Sequence, residues 1–346
     1  MVPYPYVNLH KFDLSGLNPA LNATFQTGFA QDGLAHHSFR CASEANEIWK
    51  RLGCDLHFVQ LTVGRLEGQI DIEHFGGMTV ISLACNQALL VQGKRNPKCL
   101  HFCLENTKHI SMHRVWGEPI QPNSLHGFCS KISESFFQTT PNCQISIAMI
   151  PFRRFINLAE LDSSASFMDE IENTNTITLN IERFEQIRRL IKPRCSSNPK
   201  KRDPLHAELL EAQLLDSLSK SQHQSSTPID LFHRHALIRE LVNFGFENST
   251  SPLSLQQVCR SLFSSPTTIT VGCRELFGLG PMALLKRVRL QQVQRVLQDQ
   301  DLQKSINCAS VHEVATHFGF ASRNHFARDY RTIFGESPLA TMKRSR

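Results

Sequence analysis

"SVHEVATHFGFASRNHFARDYRTIFGESP", residues 310–338, decides how the last third of the chain folds. Val311, Val314, Ala315 and Phe318 fall on one side of a short helix, and Gly319 follows where the backbone must take a conformation that a Cβ resists. Ser322 is placed to cap a second helix, on which Phe326, Tyr330, Ile333 and Phe334 turn inward. Positions 323, 324, 327, 328 and 331 then share the outward face. A short helix, a small-residue turn and a capped second helix make a helix-turn-helix, whose second helix fits a major groove. Arg323, Asn324 and Arg328 carry forked donor and acceptor groups that match guanine and adenine edges; Arg331, a turn further on, is suited to phosphate. Ala327 lies between them.

The unit occurs twice. Leu255, Val258 and Leu262 recur 56 residues later as Val311, Val314 and Phe318, and Ser265, Ile269, Cys273, Phe277, Gly278 and Pro281 recur 57 residues later as Ser322, Phe326, Tyr330, Phe334, Gly335 and Pro338. In the first copy the outward face carries Thr267, Thr270, Val271 and Arg274, which can touch thymine methyls and phosphates but read few donors. Phe263 stands where the second copy has Gly319, and Gly272 lies inside the helix, so the second copy is expected to dominate sequence reading. The units are expected at about 254–278 and 311–335, joined by a helix at about 281–299 with Leu285, Val288, Val293 and Val296 inward.

Charge supports the same partner. Residues 228–346 hold 15 Lys and Arg against 9 Asp and Glu, which accounts for the whole formal charge of +6 on the 346-residue chain. Excess positive charge confined to one third points to a polyanion, nucleic acid before membrane.

Upstream the period changes. From Leu56 to about Phe152, short β-branched and aromatic runs such as "LHFVQLTV", "MTVISLAC" and "CQISIAMIPF" are separated by Gly and Pro, as in an antiparallel sandwich or barrel. The helix opening at "ASEANEIWKRLG" has Ser43 available to cap it. Helical spacing returns after Arg153, and "PRCSSNPKKRDP" reads as an exposed linker. Beyond it Leu205, Leu209, Leu210, Leu214, Leu215 and Leu218 form a stripe that either pairs two subunits or packs on its own domain. "SKSQHQSSTP", residues 219–228, closes that region. The expected division is 1–200, 201–227 and 228–346: a β-rich sensing and dimerisation domain, a linker with the leucine helix, and an all-α domain.

Two helix-turn-helix units bridged by one helix, Arg289-Leu290 within that helix, and the closing "GFASRNHFARDYRTIFGESP" resemble the AraC/XylS family of bacterial transcription regulators over about residues 230–344. "LFGLGPMALLKRVRLQQVQRVL" is similar to the branch of ethanolamine-operon regulators. The resemblance implies an α+β chain with a barrel- or cupin-like sensor domain, double-stranded promoter DNA and RNA polymerase as partners, homodimers, a small-molecule effector, and activation of transcription. It places base contacts on Thr267, Thr270, Val271 and Arg274, and on Arg323, Asn324, Ala327 and Arg328.

Rival chemistry has a weaker footing. A cupin-type metal enzyme, or a metal or redox sensor fused to the DNA-binding domain, would draw on His109 and His113 or on Cys99 and Cys103. The β region has no His-x-His, and the chain has no Cys-x-x-Cys, phosphate loop or nucleophile elbow, so neither catalysis nor a cofactor or metal is expected. "MVPYPYVNLHKFDL" lacks the pattern of a secretory leader, and the apolar window from Val80 to Val91 falls short of the roughly 20 residues of a bilayer span. A cytoplasmic protein with reduced thiols is the expectation.

Overall fold

The computed structural model describes residues 33–107, 110, 112–161, 171–193, 205–219, 226–228 and 233–344. β1 (Gly33–Phe39) and α1 (Ala42–Arg51) precede β2 (Asp55–Gln60), β3 (Gly68–Phe75), β4 (Met78–Cys85), β5 (Leu89–Lys94), β6 (Cys99–Glu105), β7 (Arg114–Val115), β8 (Glu118–Pro119), β9 (Ser124–His126), β10 (Glu134–Gln138) and β11 (Cys143–Pro151). Next come α2 (Phe152–Leu161), β12 (Thr174–Thr178), α3 (Ile181–Ile191), α4 (Leu205–Ser219) and β13 (Ser226–Pro228). From His233 the described chain is helical: α5 (His233–Glu247), α6 (Leu255–Ser261), α7 (Pro266–Phe277), α8 (Pro281–Gln298), α9 (Gln300–Ser305), α10 (Val311–His317), α11 (Arg323–Phe334) and α12 (Pro338–Arg344).

The strands form two sheets whose described pairings are antiparallel, in the orders β1-β3-β4-β11-β6-β9-β12-β13 and β2-β5-β10-β7-β8. Neither sheet closes on itself, so the barrel- or cupin-like expectation is met only as far as a two-sheet, β-rich unit.

Side-chain alternation builds four layers from these sheets. Ile81 and Leu83 of β4 face Leu56 and Phe58 of β2 and Val91 of β5 between the sheets. Val80, one residue over, faces the opposite way, with Phe102 and Ile150, towards Ile187 of α3 and Leu210 and Leu214 of α4. "MTVISLAC" is therefore apolar almost throughout because both its faces are covered.

The outer face of the second sheet is covered by the helical region. Val59, Leu61, Leu90 and Phe136 share one core with Leu237, Ile238 and Val242 of α5, Ile269 and Phe277 of α7, and Leu285 and Val288 of α8. A separate core under α8, α10, α11 and α12 holds Val293, Val314, Phe326, Tyr330 and Phe334.

The leucine stripe takes the second of its two readings, packing on its own domain, and the cap of α1 departs from the sequence reading. Leu210, Leu214, Leu215 and Leu218 of the leucine stripe are buried on their own domain, whereas Leu205 and Leu209 are exposed. α1 starts at Ala42 with Cys41 at its N-cap and no side-chain cap there; Ser43 lies inside the first turn and donates to Gln298 Oε1 of α8 at 2.5 Å. Residues 194–204, most of the expected linker, lie outside the described residues.

Candidate nucleic-acid interface

Each unit is built by local hydrogen bonds the sequence encodes. Ser254 and Gln257 form a capping box on α6, as Ser310 and Glu313 do on α10. Backbone N–H groups of Ala309 and Ser310 donate to the Glu313 carboxylate and hold its pKa below the usual range. Ser265 accepts from Thr268 N at 3.1 Å to open α7, with Pro266 in its first turn, and Ser322 accepts from His325 N at 3.4 Å to open α11. Gly278 and Gly335 end the two second helices in the left-handed conformation, φ 65° and 66°.

The turns differ as the residues require. Gly319 has φ +72°, and a Cβ there would lie 2.8 Å from Cδ of Pro252. Phe263, its counterpart, is also left-handed at φ 48° and keeps its ring 97% exposed. A side chain is tolerated here because it points into solvent.

On α11, Phe326, Tyr330 and Phe334 are buried, stacked edge to face or tilted at 4.7–5.7 Å, while Arg323, Asn324, Arg328 and Arg331 are exposed and Ala327 is half-buried between them. Tyr330 Oη donates to Thr341 Oγ1 at 2.9 Å, tying the buried face to α12. Asp329, the acid of the outward side, is held by Lys286 of α8 at 3.0 Å. Arg323, Arg328 and Arg331 have no acidic partner among the described residues, so their charge faces outward. Thr267, Val271 and Arg274 are exposed on α7 and Thr270 is half-buried. Each predicted contact residue thus lies on the outward side of its helix. His325, whose N–H is held by the Ser322 cap, is likewise exposed in the first turn of α11.

The β region reaches the end of α11. Gln60 Nε2 donates to Ile333 O at 2.8 Å and to Gly64 O at 2.6 Å, and Gly64 N donates to the same Ile333 O at 3.0 Å. A Cβ on Gly335 would lie 2.7 Å from Arg65 N. Nothing in the pattern of residues 56–67 foretold this contact.

Of the rival sites, His109 lies outside the described residues, and His113 is buried with its Nδ1 on Glu105 Oε2. Among the described residues no three His, Cys, Asp or Glu side chains are grouped to hold a metal ion. Cys99 and Cys103 are free thiols, each pushed up to about 12 by burial. Among the described residues a close thiol pair is one the sequence reading did not single out: Cys85 and Cys143, cross-strand partners on β4 and β11 with sulfurs 3.3 Å apart. No described helix is long and apolar enough to cross a membrane.

Residues 258–344 match the helix-turn-helix domain family. The chain is 26% identical over 137 residues to the XylDLEGF operon transcriptional activator 2 of Pseudomonas putida, covering 40% of this chain and 82% of that one. It is 30% identical over 107 residues to a probable thc operon regulatory protein of Rhodococcus erythropolis, covering 31% of each. Among solved structures, a probable AraC family transcriptional regulator from Rhodopseudomonas palustris is 32% identical, with 32% of this chain and 98% of that one covered at a TM-score of 0.29. ToxT of Vibrio cholerae aligns over 91% of this chain and 98% of its own at 10% identity and a TM-score of 0.31, too low to bear on the arrangement of the layers.

Proposed function

We propose, for a chain that belongs to the AraC/XylS family of DNA-binding transcription regulators, that α7 and α11 enter successive major grooves on one face of promoter DNA. The observation that carries this reading is the repeat itself: two capped second helices, in register 57 residues apart, each with a buried apolar side and a polar outward side. α8 joins them, and its 18 residues span about 27 Å, close to the roughly 34 Å between grooves one turn apart.

In this reading Arg323, Asn324 and Arg328 read bases, Arg331 takes phosphate, and Thr267, Thr270, Val271 and Arg274 contribute weaker contacts, with Ala327 close to the base edges. The exposure of these residues supports it. The two-sheet region serves as the sensing domain, the protein acts in the cytoplasm with RNA polymerase as a partner, and activation of transcription follows the role given in the name of the Pseudomonas activator. A homodimer is the proposed working form. Within the family, "LFGLGPMALLKRVRLQQVQRVL" supports the ethanolamine-operon-regulator branch.

Footprinting on the cognate promoter tests the geometry. Two protected blocks about one helical turn apart and unequal in strength are expected, since the two faces differ. A single protected groove would mean that α7 is not engaged.

A further inference from the structure

Cys85 closes β4 and Cys143 opens β11, directly across from each other in the antiparallel pairing, with their sulfurs 3.3 Å apart. Facing residues of such a pair have Cα atoms about 4.5 or 5.5 Å apart, and a disulfide accepts either spacing. Closing the bond therefore needs the sulfurs to approach by only about 1.3 Å. Cys99 and Cys103, four residues apart on one strand, are about 13 Å apart and cannot be bridged. Cys85 and Cys143 are 5% and 1% exposed, yet both line an open groove of about 410 Å³, with Glu67, Gly68, Asn86 and Gln144. A water-sized molecule occupies about 30 Å³, so a peroxide enters with the sheet intact.

We infer that Cys85 and Cys143 form a reversible oxidation site whose substrate is a small hydroperoxide and whose product is a disulfide between β4 and β11. Cys143 is the attacking thiol. Once it loses its proton, the S–H of Cys85 and then the hydroxyl of Thr139 donate to the thiolate and hold Cys143 below the ordinary thiol range, while Cys85 is pushed well above it. With hydrogen peroxide, the Cys143 thiolate attacks one oxygen and breaks the O–O bond. Cys143 becomes a sulfenic acid, and the departing hydroxide leaves as water with the proton Cys143 released. The Cys85 sulfur then displaces the sulfenic hydroxyl, which leaves as a second water with the Cys85 proton. The two thiols give up two electrons, the peroxide takes them, and a dithiol reductant reverses the bond.

Oxidation changes what Cys85 holds. As a neutral thiol it donates to Gln87 O at 3.2 Å, and a disulfide has no proton to donate. Gln87 accepts from Thr62 Oγ1 at 2.6 Å and donates to Arg65 O at 3.2 Å. Asn86 donates to the same Arg65 O at 3.0 Å and accepts from Glu67 N at 2.9 Å. The segment 62–67 held in this way is the one that meets the end of α11, with Gly64 N on Ile333 O and Arg65 N close against Gly335. The state of the thiol pair thus reaches the second reading helix through two residues and one loop. This second step rests on the regulator reading; the first does not.

Peptide mapping of the full chain after hydrogen peroxide tests the site. Once free thiols are blocked with maleimide, trypsin releases Cys85 in residues 66–94 and Cys143 in residues 132–153, neither of which holds another cysteine. A cross-link between these two peptides is expected, lost on addition of dithiothreitol, with Cys99 and Cys103 oxidised at least about tenfold more slowly. No such cross-link, or one confined to other cysteines, overturns the site. Cys85→Ser should stop at a sulfenic acid on Cys143, trapped by dimedone, and Cys143→Ser should leave Cys85 unreactive; the reverse pattern overturns Cys143 as the attacking thiol. Should either variant fail to fold, the wild-type map decides alone. In a duplex titration, oxidation should change DNA affinity about fivefold or more, and Asn86→Ala should at least halve that response while the cross-link still forms. Unchanged affinity, or an undiminished response in Asn86→Ala, overturns the coupling. A chain that forms the cross-link but binds no duplex in either state would instead fail the regulator reading and leave the oxidation site standing.

Discussion

Arg323 and Arg328 are held outward by what lies behind them, since Phe326 and Tyr330 fill the core and Lys286 neutralises the neighbouring Asp329. Replacing either arginine with Ala should cost about 1–3 kcal/mol at the cognate site and relax preference at one base position. Arg331→Ala should weaken cognate and scrambled duplexes about equally and lower the salt slope by about one. Thr267→Ala and Thr270→Ala should do less. Titration of each folded variant against both duplexes checks this; unchanged binding by both arginine variants alongside failure of the threonine variants would assign the dominant role to α7.

At the scale of elements, the two turns give opposite predictions from one backbone conformation. Phe263 has φ 48° and its ring packs on almost nothing, so Phe263→Gly relieves about 1–2 kcal/mol of left-handed strain and returns about 0.4–1 kcal/mol through the more flexible unfolded chain. A net gain of about 0.5–1 kcal/mol is expected in urea unfolding. Gly319→Ala should lose about 1–2 kcal/mol or more, because strain is joined by the close approach to Pro252. Equal effects at the two positions would mean that the turns are not equivalent. The caps, buried faces and outward residues of these helices were legible because they are set within 3 or 4 residues of one another, as in Ser310 with Glu313 or Phe326 with Tyr330. What could not be read was long-range. The order of strands, the joining of Phe136 to Phe277, and the contact of Gln60 with Ile333 depend on pairings across tens to hundreds of residues, which periodicity does not encode. The thiol pair was missed for the same reason: Cys85 and Cys143 meet only once β4 and β11 are paired.

Across the whole molecule, buried neutral histidines couple folding to pH. His101 and His126 are held at about 3 against an ordinary 6.5, chiefly by desolvation and then by the neighbouring Arg95 and His113 respectively. Between those values the unfolded chain binds protons that the folded chain refuses, so their contribution is complete above pH 6.5, falls as pH drops below it, and levels off near 3. His126→Phe should make the pH dependence of stability between about pH 6 and 4 shallower by up to 1.4 kcal/mol per unit, read from urea midpoints. An unchanged slope would show that His126 is already protonated in the fold.

The layers also decide whether the protein unfolds as one body or two. Val59, Leu90 and Phe136 belong to the sheets and Leu61 follows β2, yet their core is shared with α5, α7 and α8, and Gln60 ties the same strand to the end of α11. A helical region folded wholly by itself would have left those sheet residues facing water, and the sheets would have left Ile238 and Val242 without a floor. Loss of either part therefore exposes apolar surface on the other, which makes the transition cooperative. Tryptophan fluorescence reports the sheet side of the molecule, through Trp49 on α1 and Trp116 at the edge of the shared core, while far-ultraviolet circular dichroism is dominated by the helices. The two signals should coincide in urea for the unaltered chain. Phe136→Ala, which removes the ring at the centre of the shared core at a cost of about 3–5 kcal/mol, should pull them apart, with the helical signal and the fluorescence moving at different midpoints. Separate transitions in the unaltered chain would mean that the shared core does not bind the two parts into one folding unit, and a merely parallel shift of both signals in Phe136→Ala would mean that contacts beyond Phe136, those of Gln60 and Ser43 among them, carry the coupling.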